Sequence, residues 1–290
     1  MLRVFAPAKI NLCLHVTGQR ADGYHLLDSL VGFADVGDWV TLSRGAAGLA
    51  LSGPEAGALR GGGENIITRT LAAFGAGDLT VHLEKNLPVA SGIGGGSSDA
   101  AAAYRGALAL TGRGARPEDA AALLALGADV PICAAAKPAL MQGIGAQITP
   151  LPNLAALDAV LVNPRLPLST PQVFAALANK ANPATAPLPA QLSDQGALMG
   201  WLAAQRNDLQ PAAQSVAPAI SVVLAAIKGT GARLARMSGS GATCFGLYAN
   251  PATAARAAEG LRAKFPQWWV QPCQINGPVD VSPQVIRATT

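Results

Sequence analysis

Hydrophobic and polar residues alternate with period two in several short stretches of this chain. Between Phe5 and Val16, residues Ile10, Leu12, Leu14 and Val16 share one side of an extended backbone, and Lys9, Asn11, Cys13 and His15 share the other. That predicts a strand. Leu79, Val81 and Leu83 alternate with Thr80, His82 and Glu84 in a second. Tyr24-His25 lead into an apolar run to Phe33, and Trp39 to Leu42 reads as a separate short strand. Further strands are expected at Leu49–Ser52, Ala139–Gln142, Gln147–Leu151, Ala159–Val162, Arg233–Met237, Thr243–Tyr248 and Trp268–Cys273. Helical spacing appears after Asn65, where Ile66, Ile67, Leu71 and Phe74 form a stripe. Ala100 to Leu110 is rich in helix formers. Pro117-Glu118-Asp119 starts another helix and Gly127 ends it. Thr170-Pro171 should cap a helix holding Val173 and Phe174, with more helices at about 195–204, 211–228 and Pro251–Phe265. Residues 44–64 outside the expected strand and residues 180–194 read as loop, and Pro150–Asn153 as a linker. The second half thus runs β-α-α-α-β-β-α-β, an elaborated split βαβ sandwich. With 290 residues, two domains are the better expectation: 1–154 and 155–290.

Composition narrows the class. Half of the residues are hydrophobic but only 4% are aromatic, so the core must be built from many small contacts. Mean hydropathy is positive, +0.31, yet no run of about 18 apolar residues exists. Val216 to Ile227 comes nearest, and it is short and carries Pro218. The N-terminal residues lack the apolar core of a signal peptide, so a cytoplasmic location is expected. Cys13, Cys133, Cys244 and Cys273 form no C-x-x-C pair, which argues for buried reduced thiols rather than zinc or redox chemistry. The net charge of +4 fits an anionic substrate, but without a basic run it does not favour nucleic acid.

The densest chemical signal is PVASGIGGGSSDAAAA, from Pro88 to Ala103. A strand precedes it and a helix follows, so the glycines open onto a helix N-terminus. There, unpaired N–H groups and the positive end of the helix dipole favour an anion. Glycines let that anion reach the backbone. The segment reads as a cradle for a phosphate chain. It is not a P-loop, because no lysine follows the glycines, and Ser97 stands where a dinucleotide fingerprint needs its third glycine.

Other residues are ambiguous when taken singly. Lys9 and Asn11 lie two apart, about 7 Å, and point the same way; Lys9 either reaches solvent from an edge strand or faces a polar cavity. Asp129, between Gly127 and Val130-Pro131, is either a plain N-cap or turn residue or the best carboxylate for a general base. Asp99 is its rival, with a dipole-stabilised place in the first turn of the glycine-loop helix as its default role. Tyr24 and His25 follow the Asp22-Gly23 turn; they could simply pack, or hold a planar base by stacking and edge hydrogen bonds. Ser238-Gly239-Ser240-Gly241 is either a hairpin turn or a second anion nest.

Together, three motifs resemble those of the GHMP kinases in order and type: Pro7-Ala8-Lys9-Ile10-Asn11, the loop from Pro88 to Ala100, and Gly239-Ser240-Gly241. The strings APAKINLCLHVTGQRADGYH, GIGGGSSDAA, LGADVP and MSGSGATCF narrow the resemblance to family members whose acceptor carries cytidine. The resemblance implies an α+β, two-domain GHMP kinase fold. An N-terminal ribosomal-protein-S5-domain-2-like domain would bind ATP and carry catalysis, and a C-terminal ferredoxin-like split βαβ domain would bind substrate. It implies ATP-dependent phosphorylation of a hydroxyl on a cytidine diphosphate sugar alcohol. Asp129 would be the catalytic base, and Lys9 would contact both Asp129 and the acceptor hydroxyl. Pro88, Val89, Ala90, Ser91, Gly92, Ile93, Gly94, Gly95, Gly96, Ser97 and Ser98 would hold the triphosphate, with Asn65 and Lys85 near the adenine. Asn11, Tyr24 and His25 would meet the acceptor, Phe174 would take the other face of its base, and Gly239, Ser240 and Gly241 would complete that site. Mg²⁺ is expected with ATP, its protein ligands unassigned, and the chain is expected to be a monomer or weak homodimer with no nucleic-acid or membrane partner. Val89-Ala90-Ser91 and the Ala/Pro-rich 180–194 insertion depart from the family pattern. Kinases for sugars, mevalonate or homoserine lack a nucleobase acceptor, so Tyr24-His25 argues against them; retained Lys9 and Asp129 argue against a non-catalytic binding relative.

Overall fold

The computed structural model describes residues 1–60 and 65–286; the end of the expected 44–64 loop lies outside the described residues. The strand expected from Phe5 to Val16 is two strands, β1 (Leu2–Asn11) and β2 (His15–Gln19). Conversely, β3 (His25–Arg44) runs for 20 residues through what the sequence reads as two. The Ala34–Asp38 stretch falls between the two expected strands, but β1 pairs alongside it at Ala6↔Asp38 and Pro7↔Gly37 and carries the strand through. Gly37 permits this, since a Cβ there would lie 2.3 Å from the Ala6 carbonyl oxygen.

Around β3 the first half assembles. β4 (Gly48–Ser52) runs parallel to β5 (Leu79–Glu84), and β5 pairs with the end of β3. Between them lies α1 (Ile66–Ala73), capped by Asn65, whose Oδ1 accepts from the Ile67 N–H. Then follow α2 (Gly95–Thr111), α3 (Asp119–Leu126) and the unforeseen short α4 (Val130–Ala135). β6 (Ala139–Gly143) pairs with β3, and β7 (Gln147–Pro150) pairs with β6. Ala100 to Ala103 are fully buried, because small side chains let α2 lie close on the sheet. Ala102, Ala103, Val4, Val40, Leu42, Ile67 and Leu83 share one core.

The second half holds β8 (Leu157–Asn163), α5 (Thr170–Ala175), α6 (Gln195–Ala204), α7 (Leu209–Val216), α8 (Ala219–Lys228), β9 (Leu234–Met237), β10 (Cys244–Leu247), α9 (Pro251–Lys264), β11 (Trp269–Ile275) and the unforeseen β12 (Gln284–Val285). Ser169, not Thr170-Pro171, is the N-cap of α5. The helix expected over 211–228 is two helices, α7 and α8, bent by 120° at a break that holds Pro218. The sheet order β11-β8-β10-β9 puts the first and third strands in the middle, as in a split βαβ unit. Ile220, Val223, Ile227, Met237, Val160 and Val162 form its core. Among the described residues no single helix is long and apolar enough to cross a membrane.

The halves are joined in three ways. Ile275 of β11 pairs with Ala34 of β3, and β12 returns to pair with β1. A shared core mixes Ile10, Leu12 and Leu30 with Leu157, Leu161, Phe245 and Leu247.

Candidate active site

The cleft lies where the end of β1, the start of α2 and the β9–β10 turn converge. The β1/β3 register shifts between Pro7 and Lys9. This frees the Lys9 N–H to donate to the Ile93 carbonyl at 2.9 Å, which ties β1 to the glycine loop. Ser98 Oγ donates to the Pro7 carbonyl at 2.6 Å and fixes α2 to the same spot. Gly94, at φ +63°, is the N-cap of α2, and a Cβ there would sit 3.1 Å from Lys9 Cβ. So Lys9 is held directly under the helix start.

Lys9 is 4% exposed, which excludes the solvent-facing lysine the sequence left open. Its Nζ donates to Asn11 Oδ1 at 3.0 Å and pairs with Asp129 Oδ2 at 2.9 Å. Asn11 donates through Nδ2 to Ser29 Oγ at 2.8 Å, which turns its Oδ1 toward the lysine. Asp129 occupies the N-cap position of α4 but makes no side-chain cap bond. Its carboxylate is a third exposed and faces the cleft.

Two glycine turns interlock on the far side. A Cβ on Gly92 would lie 2.5 Å from the Ser238 carbonyl oxygen and 2.7 Å from Gly241 N. Ser238 Oγ accepts from the Asn11 N–H and donates to the Gly92 carbonyl, each at 3.0 Å. Asn207 holds the turn from behind, its Nδ2 donating to the Met237 and Gly239 carbonyls at 2.8 Å. Thr170 Oγ1 lies 2.7 Å from Ser240 Oγ.

A cleft of about 610 Å³ brings together Lys9, Asn11, Asn65, Lys85, Pro88 to Gly92, Gly94 to Ser97, Asp129, Phe174, Gly239 and Ser240. Ala58, Leu59 and Ile66 give it an apolar end beside Asn65. Ile93, Ser98 and Gly241 act from behind the lining through backbone or hydroxyl contacts. Tyr24 is 64% exposed and does not line the cleft. His25 does not line it either; it stacks on Phe174 with centroids 4.6 Å apart and planes at 25°. The two rings therefore cover each other and leave no gap for a third ring, unlike the expected sandwich. His25 Nε2 is buried without a partner, and burial, then Lys180, lowers its pKa below the usual histidine value.

Sequence reasoning missed one cluster. Asp99 is in the second turn of α2, not the first, and points inward. Lys85 Nζ pairs with Asp99 Oδ2 at 2.8 Å and Asp38 Oδ2 at 2.5 Å, all three buried. Asp38 Oδ1 also accepts from the Asn86 and Leu87 N–H groups at 2.6 and 2.8 Å. Asp99 Oδ1 has no partner, and burial pushes Asp99 up to about 7. Lys85 thus anchors the stem of the glycine loop as well as lining the cleft. Asp38, next to the short strand expected at Trp39–Leu42, was the available signal, but its partner lies 47 residues away.

A lysine–aspartate pair under a glycine-rich helix start sets a cation and a carboxylate beside free N–H groups that favour an anion. Known proteins agree. The family description GHMP kinases N terminal domain matches residues 64–137, and GHMP kinases C terminal matches residues 190–267. A 4-diphosphocytidyl-2-C-methyl-D-erythritol kinase of Dinoroseobacter shibae is 55% identical over 92% of this chain and 93% of its own. The chain belongs to the GHMP kinases. This GHMP kinase is a small-molecule, ATP-dependent enzyme with the expected mixed α+β fold. A second relative of the same name, from Roseobacter denitrificans, is 51% identical over 95% of this chain and 94% of its own. A crystal structure of 4-(cytidine 5'-diphospho)-2C-methyl-D-erythritol kinase superposes with a TM-score of 0.79 at 33% identity, covering 95% of this chain and all of that one. An L. major mevalonate kinase reaches 0.64 at 15% identity, over 98% of this chain and 97% of its own, which speaks for the fold alone.

Proposed function

We propose that this GHMP kinase transfers the γ-phosphoryl group of ATP to the 2-hydroxyl of 4-diphosphocytidyl-2-C-methyl-D-erythritol, a step of the non-mevalonate isoprenoid precursor pathway. The observation that carries the phosphoryl-transfer chemistry is the Lys9–Asp129 pair at 2.9 Å beneath the N-terminus of α2. The names of the relatives motivate the acceptor.

In this reading the backbone from Pro88 to Gly96, with Ser97, cradles the triphosphate, and the adenine takes the apolar end beside Asn65, Ala58 and Leu59. Asp129 receives or orients the acceptor hydroxyl's proton, and Lys9 sets positive charge beside the transferred group. Asn11 holds the lysine in that geometry. The acceptor base lies on the cleft-facing side of Phe174, with His25 backing that ring. Tyr24 reaches the base only from the exposed hairpin tip. Residues 1–154 supply the nucleotide and catalytic groups and 155–290 the acceptor side; the two family matches fall on either side of that boundary.

The carboxylates at the cleft do not fit a resident metal site. Asp129 is held by Lys9, and Asp38 and Asp99 by Lys85. No cluster of three metal-ligating side chains exists among the described residues. Mg²⁺ would come with the nucleotide, and no protein ligand is assigned to it.

The test is a kinase assay with cytidine, uridine and base-free versions of the acceptor. The cytidine compound should have at least roughly tenfold higher kcat/KM, since a base-edge hydrogen bond left unpaired costs about 1–3 kcal/mol. In the same assay Asp129→Ala should lose about 10²–10⁴ in kcat with an unchanged circular-dichroism spectrum. Equal kcat/KM for the three acceptors would defeat the cytidine reading. Near-wild-type turnover of the variant would defeat the base.

A further inference from the structure

The 180–194 segment, which the family motifs do not explain, lies along the hairpin of β2 and β3. Its contacts follow the hairpin in order. Lys180 Nζ donates to Gln19 Oε1 at 3.3 Å, and Gln19 is the register partner of His25. The Asn182 N–H and Nδ2 both donate to the Val16 carbonyl, at 2.9 and 3.2 Å. The Pro183 carbonyl lies 3.2 Å from His15 Nδ1. His15 Nε2 accepts from the Arg206 N–H, so Nδ1 carries the proton and donates to Pro183. The Thr185 N–H and Oγ1 both donate to Asp28 Oδ2, at 3.0 and 2.9 Å.

Asp28 is 4% exposed and is the register partner of His15. A buried carboxylate in a strand is costly unless its oxygens are bonded, and here the strap supplies two of the donors. The third, Gln142 Nε2 at 3.3 Å, reaches the other oxygen. The strap is also pinned at its far end, where Trp201 Nε1 donates to the Ala186 and Pro187 carbonyls and the Ala155 N–H to Leu192.

The strap starts shortly after α5, the helix that carries Phe174. The hairpin it clasps carries His25 at the start of β3. One continuous stretch therefore delivers Phe174 onto His25 and then locks to the strands behind His25. We infer that the 180–185 strap is a specificity-positioning element. Through Asp28–Thr185 and Asn182–Val16 it sets the His25–Phe174 pair at the height where the acceptor's base must lie. This rests on the acceptor reading above. Thr185 and Asn182 touch no substrate in it; they act through the hairpin.

The double variant Asn182→Ala, Thr185→Val removes both side-chain donations to the hairpin and keeps both backbone ones. Both positions are only half-buried, so the fold should survive. KM for the cytidine acceptor should rise roughly five- to tenfold while KM for ATP stays within about twofold. The preference for the base-bearing over the base-free acceptor should fall by the same factor. Thr185→Ser, which keeps the hydroxyl donor, should behave as wild type. A merely structural role would move both KM values together, and that result, like an unchanged acceptor KM, overturns the strap. Wild-type discrimination beside an unresponsive variant refutes the strap and leaves the acceptor reading standing. A wild-type enzyme indifferent to the base refutes both.

Discussion

Asp99 shows how one residue's surroundings set its chemistry. Two carboxylates, Asp38 and Asp99, share one ammonium in a buried pocket beneath the glycine loop. Burial holds Asp99 at about 7, against 3.8 for a free side chain. An acid with a raised folded-state pKa keeps a proton that the unfolded chain has already released. From about pH 4 to about pH 7 the folded state therefore binds more protons, and its stability falls as pH rises through that window. Asp99→Asn removes this titration while leaving Lys85 paired with Asp38. Urea unfolding at pH 5, 6, 7 and 8 should show the variant gaining on the wild type as pH rises, with most of the gain complete at about pH 8. A stability difference that does not change with pH would place Asp99 as an ordinary ionised partner of Lys85.

At the scale of elements, the glycine loop works because two turns touch backbone to backbone. Gly92, at φ +74°, packs on Ser238 and Gly241 with no room for a Cβ, whereas Gly96 is helical and its Cβ would meet only Ile66 Cγ2 at 3.9 Å. The two glycines should therefore fail differently. Gly92→Ala adds left-handed strain of roughly 1–2 kcal/mol to a clash of backbone on Cβ, so its melting temperature should drop by several degrees. Gly96→Val should melt within about two degrees of wild type but bind an unhydrolysable ATP analogue markedly more weakly, because its side chain would take up space in the cleft that Gly96 and Ile66 line. Calorimetric melting and isothermal titration separate the two outcomes; equal behaviour would mean the turns do not depend on each other.

Across the whole molecule, a buried arginine ties the halves together. Arg236 of β9 donates from Nη1 to the Leu12 carbonyl at 2.8 Å, and from Nη2 to the Leu202 and Gln205 carbonyls at 2.8 and 2.6 Å. Burial pulls its guanidinium down to about 10, still charged near neutrality. Leu12 follows β1, shortly after Lys9 and Asn11, so this one side chain holds the end of the strand that carries them against the second half. Arg236→Met fills the space but leaves three carbonyls unpaired, and should cost about 3 kcal/mol or more. The urea midpoint measures it, and a loss below about 1 kcal/mol would show that water or a neighbour replaces the donor.

Local patterns in the chain already determined much of this protein. The period-two alternation at Leu79–Leu83, the helix start at Asn65, the Gly127 stop and the strand–glycine–helix order each rest on forces among near neighbours, and the structure shows each of them. The motifs at Lys9, Pro88–Ala100 and Gly239 were likewise legible as short strings, and the family they indicated is the one the chain belongs to. Only the tertiary structure could decide the rest. β3 continues through the gap between two expected strands because β1 pairs alongside it. Lys9 is buried because a bulge and a helix start close over it. Lys85 finds Asp38 across 47 residues, and His25 finds Phe174 across a still longer stretch. Such pairings depend on which surfaces meet once the sheet is built. A one-dimensional pattern records which side chains want burial or a partner, but not which partner the fold will bring.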